Sequence, residues 1–333
     1  MSTNGIREVA ARAGVSLGTV SNVLNRPHLV APATRARVED AIRDLNFVRN
    51  DAARQLRTGR GSALGLIVLD VRNPYFTDMA RGVEDVASDV GCAVILCNSD
   101  ESRAKQHSYL DLLLRQQVQG VLVTPVDDAR EDLQALRDQG VPVVLLDHLG
   151  TDAGQCSVGC DDVAGGDLAL THLLSCGHDR ITFVSGPLTL RQCRDRLAGA
   201  EAALARAGRP QAMLSVIEVP SLNVKRGRWA GEQILAGRSS PSAVFCGNDL
   251  LALGVLQAAI RAGVRVPQDL AIVGYDDIDF AAAAGVPLTS VHQPSYEMGR
   301  AAAKLLLNEA RTEEGHRHEQ IRFEPELIER ASG

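Results

Sequence analysis

The 333-residue sequence has no apolar run near the ~20 residues that a membrane span needs, which argues against a membrane protein. Its first residues, MSTNGIREVAARAG, hold no apolar signal core, so a cytoplasmic location is expected rather than export. The seven cysteines (92, 97, 156, 160, 176, 193 and 246) include no C-x-x-C pair. An odd, scattered set fits reduced thiols that pack as small hydrophobes. There is no G-x-x-x-x-G-K-[ST] loop, no G-x-G-x-x-G after a strand and no G-x-S-x-G elbow, so no catalytic residue is assigned. The closest approach to a metal motif is His316-Arg317-His318-Glu319. No cysteine adjoins it in sequence and it reads as a solvated loop, so neither metal nor cofactor is expected.

What is present is an asymmetry. The overall charge is −6, yet residues 1–60 carry ten arginines against five acids, leaving the remainder at −11. A small basic head on an acidic body fits a nucleic-acid anchor joined to a separate module.

The head reads as three short helices. Ile6, Val9, Ala10 and Ala13 recur at helical spacing, Gly14-Val15 breaks the pattern, and Ser16 can cap a second helix carrying Val20, Val23 and Leu24. A small residue at the crossing, glycine in the corner and apolar residues pinning the second helix to the first fit a helix-turn-helix. Asn25-Arg26-Pro27 ends that helix. A third follows, with Pro32 in its first turn and Val38, Ala41, Ile42 and Leu45 inward.

The residues Val9-Ala10, Ala13-Gly14-Val15-Ser16, Thr19-Val20-Ser21, Val23, Asn25, Val30, Thr34-Arg35, Val38, Leu45-Asn46-Phe47, Asn50, Ala53 and Leu56 resemble the DNA-binding head of the lac repressor (LacI/GalR) family. The likeness continues along essentially the whole chain. It implies a dimeric, ligand-controlled transcription regulator. The second helix would then lie in the major groove with Ser16, Leu17, Gly18, Ser21 and Asn22 facing base edges. Thr19, Ser21, Asn25 and Thr34 are better placed for phosphates. Gly18 brings no side chain to read a base, and Ala31 stands where the family usually has a capping hydroxyl. Residues 50–57, NDAARQLR, resemble the family's hinge helix, which folds only when two copies pack in the minor groove. By that resemblance Leu56 is the wedge in the central base step, Ala53 permits close approach, and Asn50, Arg54 and Arg57 lie against DNA.

From residue 63 the pattern alternates. Apolar runs at 64–71, 93–99, 120–126, 141–149, 181–186, 213–219, 243–249, 270–277 and 288–294 are separated mostly by helix-period segments. This is the signature of parallel sheets with crossover helices. Nine strands are many for one sheet, and a break near Cys160–Asp162 suggests two doubly wound subdomains. A helix over 295–311 and a strand over 320–328 would close back on the first. The expected fold is therefore α/β: an all-α helix-turn-helix head (1–48), a hinge helix and linker (49–60) and a core (61–333) like periplasmic sugar-binding proteins. Its N-subdomain would span about 61–160 and 294–328, its C-subdomain about 161–293.

In such a core the ligand sits between subdomains at the carboxyl ends of strands. Asp70, Asn73, Tyr75, Phe76, Thr124, Asp147, Arg194, Asn248, Asp276 and Gln293 fall at or just past those ends. Carboxylates accept from sugar hydroxyls, a guanidinium donates, and aromatic faces cover C–H surfaces. By resemblance, Asp147, Arg194, Asn248, Asp276 and Gln293 occupy positions that sugar-binding relatives use, with Tyr75 or Phe76 stacking. The set matches pentose binders best. Two departures weaken that match: His148 replaces a common arginine, and Leu222 replaces a common aromatic ring. Leu190, where the purine-responsive branch has an arginine, argues against a purine corepressor.

The expected function is repression of sugar-uptake or catabolic genes, by a homodimer on double-stranded palindromic operator DNA, controlled by a small effector. Purine- or phosphosugar-responsive regulators are the alternatives. An enzyme or a sugar receptor on the same core is a more distant one. The final EPELIERASG carries no apolar heptad, so a dimer is expected rather than a zipper-built tetramer.

Overall fold

The computed structural model describes residues 5–47, 61–127, 130–150, 154–237, 241–311 and 316–333. The contacts divide the chain into two units, through Gly61 and from Ser62 onward. Among the described residues, no helix is long and apolar enough to cross a membrane.

The first unit is built on helices α1 (Ile6–Ala13), α2 (Leu17–Asn25) and α3 (Pro32–Asp44), with a 3-10 turn over Pro27–Leu29. Gly14 ends α1 with a left-handed φ of 64°, a conformation that glycine adopts without a Cβ penalty. Ser16 then caps α2, its hydroxyl accepting from the Thr19 amide at 3.1 Å. Ala31 precedes α3 with no side-chain cap, and Pro32 supplies the preset first turn. Val9, Ala10, Ala13, Val20, Val23, Val38 and Ala41 make the core, while Ile6 stays at the surface.

The second unit begins with β1 (Ala63–Val68), α4 (Pro74–Asp89), β2 (Ala93–Asn98), α5 (Arg103–Arg115), β3 (Val121–Val123), α6 (Arg130–Asp138), β4 (Val143–Leu146) and β5 (Ser157–Cys160). It continues through α7 (Asp162–Ser175), β6 (Ile181–Ser185), α8 (Arg191–Arg206), β7 (Leu214–Glu218), α9 (Val224–Ala236), β8 (Ala243–Cys246) and α10 (Asp249–Arg261). The remainder is β9 (Ala271–Asp276), α11 (Asp279–Ala282), β10 (Thr289–His292), α12 (Ser295–Arg311), β11 (Gln320–Phe323) and β12 (Glu326–Ile328). Two six-stranded sheets result, ordered β11-β5-β4-β3-β1-β2 and β12-β10-β9-β8-β6-β7. Every pairing is parallel except β10 with β12.

Two sequence expectations change here. The segment 157–160, where no strand was expected, is a buried strand between β4 and β11, just before the expected break. Its residues SVGC include one β-branched side chain, so burial by neighbours rather than propensity makes it a strand. The single strand expected over 320–328 is two strands, and they belong to different sheets. Pro325, which cannot donate to a ladder, separates them. The chain thus passes between the sheets three times: at Asp161, around Pro294 and at Glu324-Pro325.

Three pairs of the covering helices meet at glycine. A Cβ on Gly82 would lie 2.1 Å from the Tyr296 carbonyl oxygen, and one on Gly299 would lie 2.1 Å from that of Met79, so α4 and α12 touch backbone to backbone. Gly166 and Gly199 do the same for α7 and α8, at 2.0 Å from Arg196 O and 1.9 Å from Val163 O. Gly227 and Gly254 do so for α9 and α10.

Candidate functional site

On α2, Ser16, Leu17, Gly18 and Asn22 are exposed, with Leu17 presenting 46% of its surface. Thr19 and Ser21 are half-buried, and the Ser16 and Thr19 hydroxyls pair at 2.9 Å. Thr34, in the first turn of α3, is half-buried. Asn25 closes α2, but its side chain lies outside the description, as do all of Asn50, Ala53, Arg54, Leu56 and Arg57.

In the second unit, the carboxyl ends of both sheets converge on a cleft of about 370 Å³, solvent in its mouth included. It is lined by Asp70, Asn73, Tyr75, Phe76, Asp147, Leu222, Asn248 and Asp276 from the expected set, joined by Leu69, Glu101, Gln192 and Arg196. Asn73 caps α4, accepting from the Tyr75 amide at 3.2 Å, and its Nδ2 spans the cleft to donate to Asp276 Oδ2 at 2.9 Å. Asn248 caps α10 in the same way, its Oδ1 accepting from the Leu251 amide at 2.9 Å. Both asparagines therefore hold a helix start; the Asn73 NH₂ reaches across to Asp276, and the Asn248 NH₂ donates to the Leu222 carbonyl at 3.3 Å. The Tyr75 hydroxyl donates to Asp147 Oδ1 at 2.6 Å, and Phe76 meets the Tyr75 ring edge-on at 5.1 Å.

Three aspartates here have positive φ: Asp147 at 55°, Asp276 at 98° and Asp277 at 55°. Such backbone is costly for residues with a Cβ, and it ends each strand with a carboxylate turned off the sheet. Burial, reinforced by the charge of Asp162, pushes the Asp147 carboxyl up to about 8. Burial pushes Asp276 up to about 6, against the pull of Arg196. The cleft thus holds carboxyls poised to exchange protons near neutral pH.

Three expected residues sit elsewhere. Arg194 points outward and donates to the Leu188 and Thr189 carbonyls at 3.1 and 2.9 Å. The arginine of the cleft is Arg196, with only 4% of its side chain exposed. It bonds Asp162 Oδ1 at 2.7 Å and the Gly247 carbonyl at 2.6 Å, lies over the Tyr275 ring at 3.7 Å and is 4.0 Å from Asp276. Two residues along a helix is a turn of ~200°, which puts 194 and 196 on opposite faces. Gln192 shares the face of Arg196, as do the buried Gly199, Ala200 and Ala203, and that run of small residues is the signal that this arginine points inward. Thr124 is buried beyond the lining, its Oγ1 without a hydrogen bond. Gln293 stands behind Asp276, donating to Oδ1 at 3.0 Å, and lines an adjoining surface recess instead.

The loop expected around His316 and His318 is also different. Both histidines are half-buried, and both rings lie beside Cys156.

A helix-turn-helix unit in one chain with a two-sheet core whose strand ends face a polar cleft defines a class: transcription regulators that respond to a small molecule. Residues 5–50 match the bacterial regulatory proteins of the lacI family, and residues 170–333 match the periplasmic binding protein-like domain. The chain is 34% identical over 337 aligned positions to the ribose operon repressor of Escherichia coli K12, covering 98% of this chain and 99% of that one. It is also 34% identical to the HTH-type transcriptional repressor PurR of Photobacterium profundum, covering 98% of each. Among solved structures, the lac repressor dimer bound to operator and the anti-inducer ONPF is 27% identical, covers 99% of each chain and has a TM-score of 0.84. A LacI-family regulator from Enterococcus faecium with bound ribose is 31% identical, covers 81% of this chain and 98% of that one, and has a TM-score of 0.74. The chain belongs to the lacI family of bacterial regulatory proteins. Its relatives are transcriptional regulators, not enzymes.

Proposed function

We propose that the protein is a cytoplasmic repressor that binds a near-palindromic operator as a homodimer and is controlled by a sugar of pentose size. The head would extend to residue 48, the hinge over 49–60 and the effector core from 61. The observation that carries the effector reading is the pair Asp147 and Asp276. They are buried on opposite sides of one narrow cleft, beside Tyr75, Phe76, Asn73 and Asn248. Sugar hydroxyls would donate to the carboxylates and accept from the amides, while the rings cover the C–H face. The ribose-bound relative supports this choice.

The purine alternative rests on the equally similar purine-type relative. Against it, Leu190 is a buried leucine that offers a purine no donor. In the DNA complex, Ser16, Leu17, Gly18, Ser21 and Asn22 would face base edges, and Thr19, Ser21, Asn25 and Thr34 would hold phosphates. Coupling follows from linkage: a sugar that prefers the closed core shifts operator affinity by its differential affinity, ~1–3 kcal/mol. Calorimetric titration against pentoses, hexoses and purines, followed by gel shifts with and without the binder, tests both steps. Purine binding without sugar binding would overturn the effector assignment.

A further inference from the structure

Outside the cleft, one cluster of side chains has no role in DNA or effector binding. Cys156 stands just before β5, Glu309 lies in the last turn of α12, and His316 and His318 lead into β11. These are the amino ends of the parallel strands, the edge opposite the cleft. The four donor atoms all lie within 4.8 Å of one another. Cys156 Sγ is 3.2 Å from His316 Nε2 and 3.5 Å from His318 Nδ1, and His316 Nε2 is 3.9 Å from Glu309 Oε2.

A tetrahedral Zn²⁺ with bonds of ~2.3 Å to sulfur and ~2.0 Å to nitrogen or oxygen sets its donors roughly 3.3–3.6 Å apart. The Cys156–His316 and Cys156–His318 spacings, at 3.2 and 3.5 Å, fall around that range, while Glu309 stands wider, at 3.9 Å from His316. The two imidazoles meet edge to face, 81° between planes and 5.0 Å between centroids, so each turns a nitrogen toward the thiol. Cys156 is fully buried, and only 11% of the His316 side chain and 14% of the Glu309 side chain are exposed. Glu309 Oε2 is buried and faces the cluster, with the Cys156 thiol and His316 Nε2 beside it.

We propose that Cys156, Glu309, His316 and His318 form a closed binding site for one Zn²⁺ ion per chain. A thiolate and a carboxylate neutralise the dication, which suits a half-buried site. The sulfur and imidazole donors exclude Mg²⁺ and Ca²⁺, which take oxygen shells. Four protein ligands leave no open position, so the site is structural: it fastens α12 and the approach to β11 onto the edge of β5. Zinc takes the thiolate, so loading the site releases the Cys156 proton to solvent as the S–Zn bond forms.

The test uses the full-length protein, stripped with a chelator under reducing conditions and titrated with Co²⁺ and then Zn²⁺. Expected are the intense d–d bands of tetrahedral Co²⁺ with a thiolate charge-transfer band, displacement by one equivalent of Zn²⁺, and a rise in Tm on Zn²⁺ addition. Cys156→Ser abolishes the charge-transfer band. His318→Ala weakens Zn²⁺ affinity by about 100-fold or more, at least the ~10–100-fold typical of losing a partner outside the ligand shell. If Cys156→Ser does not fold, His318→Ala decides alone. No uptake by the stripped protein, or unchanged uptake by His318→Ala, overturns the site.

Discussion

Arg196 offers the sharpest quantitative test of the cleft. Its guanidinium is 4% exposed and engages Asp162 at 2.7 Å, the Gly247 carbonyl at 2.6 Å and the Tyr275 face at 3.7 Å, with Asp276 at 4.0 Å. Replacing it by Met keeps most of the volume and removes the charge. Breaking a buried pair from one side costs about 3–5 kcal/mol, because the remaining carboxylates stay buried without a counter-charge. The cost depends on pH. Asp276 already titrates at about 6 with the arginine in place, and losing the arginine raises it further. A protonated Asp276 needs no partner, so the loss is largest at pH 8 and shrinks toward pH 5. Arg194→Met, on the outward face of the same helix, changes stability by less than ~0.5 kcal/mol. Urea unfolding at equal protein concentration measures all three proteins. The single tryptophan, Trp229 on α9, reports on the half that contains Arg196. With m of ~3 kcal/mol/M, Arg196→Met lowers the midpoint by ~1 M or more at pH 8. Equal midpoints for the two variants, or a loss independent of pH, would refute the buried-charge account.

Other expectations follow from the same geometry. Asp147 is held at about 8 in the folded protein, above its unfolded value, so its favourable contribution is complete below ~4 and is lost as pH rises through 8. Asp147→Asn should therefore raise Tm at pH 8.5 and leave it nearly unchanged at pH 4, as calorimetry would show. Sugar hydroxyls prefer the ionised carboxylate, so effector affinity should climb up to tenfold per pH unit toward pH 8 and flatten above it; a flat titration from pH 6 to 9 refutes Asp147 as a ligand. Gly199→Ala places a Cβ 1.9 Å from the Val163 carbonyl oxygen and should cost at least ~1–3 kcal/mol in urea unfolding, whereas Gly208→Ala, with open space around it but a left-handed φ of 64°, should cost ~1 kcal/mol. Ser16→Ala removes the cap of α2 and should weaken operator binding about fivefold, ~1 kcal/mol, in a salt-matched gel shift.

The head was legible almost to the residue, because turn glycine, cap and apolar spacing are all local signals. Most strands were legible for a similar reason: a parallel strand buried on both faces reads as a continuous apolar run. β5 escaped because SVGC has no such run, and β11 with β12 read as one strand because sequence does not show that neighbours across a proline join different sheets. Arg194 was assigned from its place after a strand end and from the family resemblance, whereas helix phase decides which arginine turns inward. Cys156 and His316 stand 160 positions apart, so no spacing rule could have joined them.

The paired glycines carry a mechanical consequence. Where two helices touch through their main chains, no side chain is left between them to act as a bearing. The three helix pairs that meet at glycine are thereby stiff against shear, and the halves of the core are joined by the three short connectors at Asp161, Pro294 and Glu324-Pro325. Rotation of one half against the other would turn on a handful of torsions in those connectors.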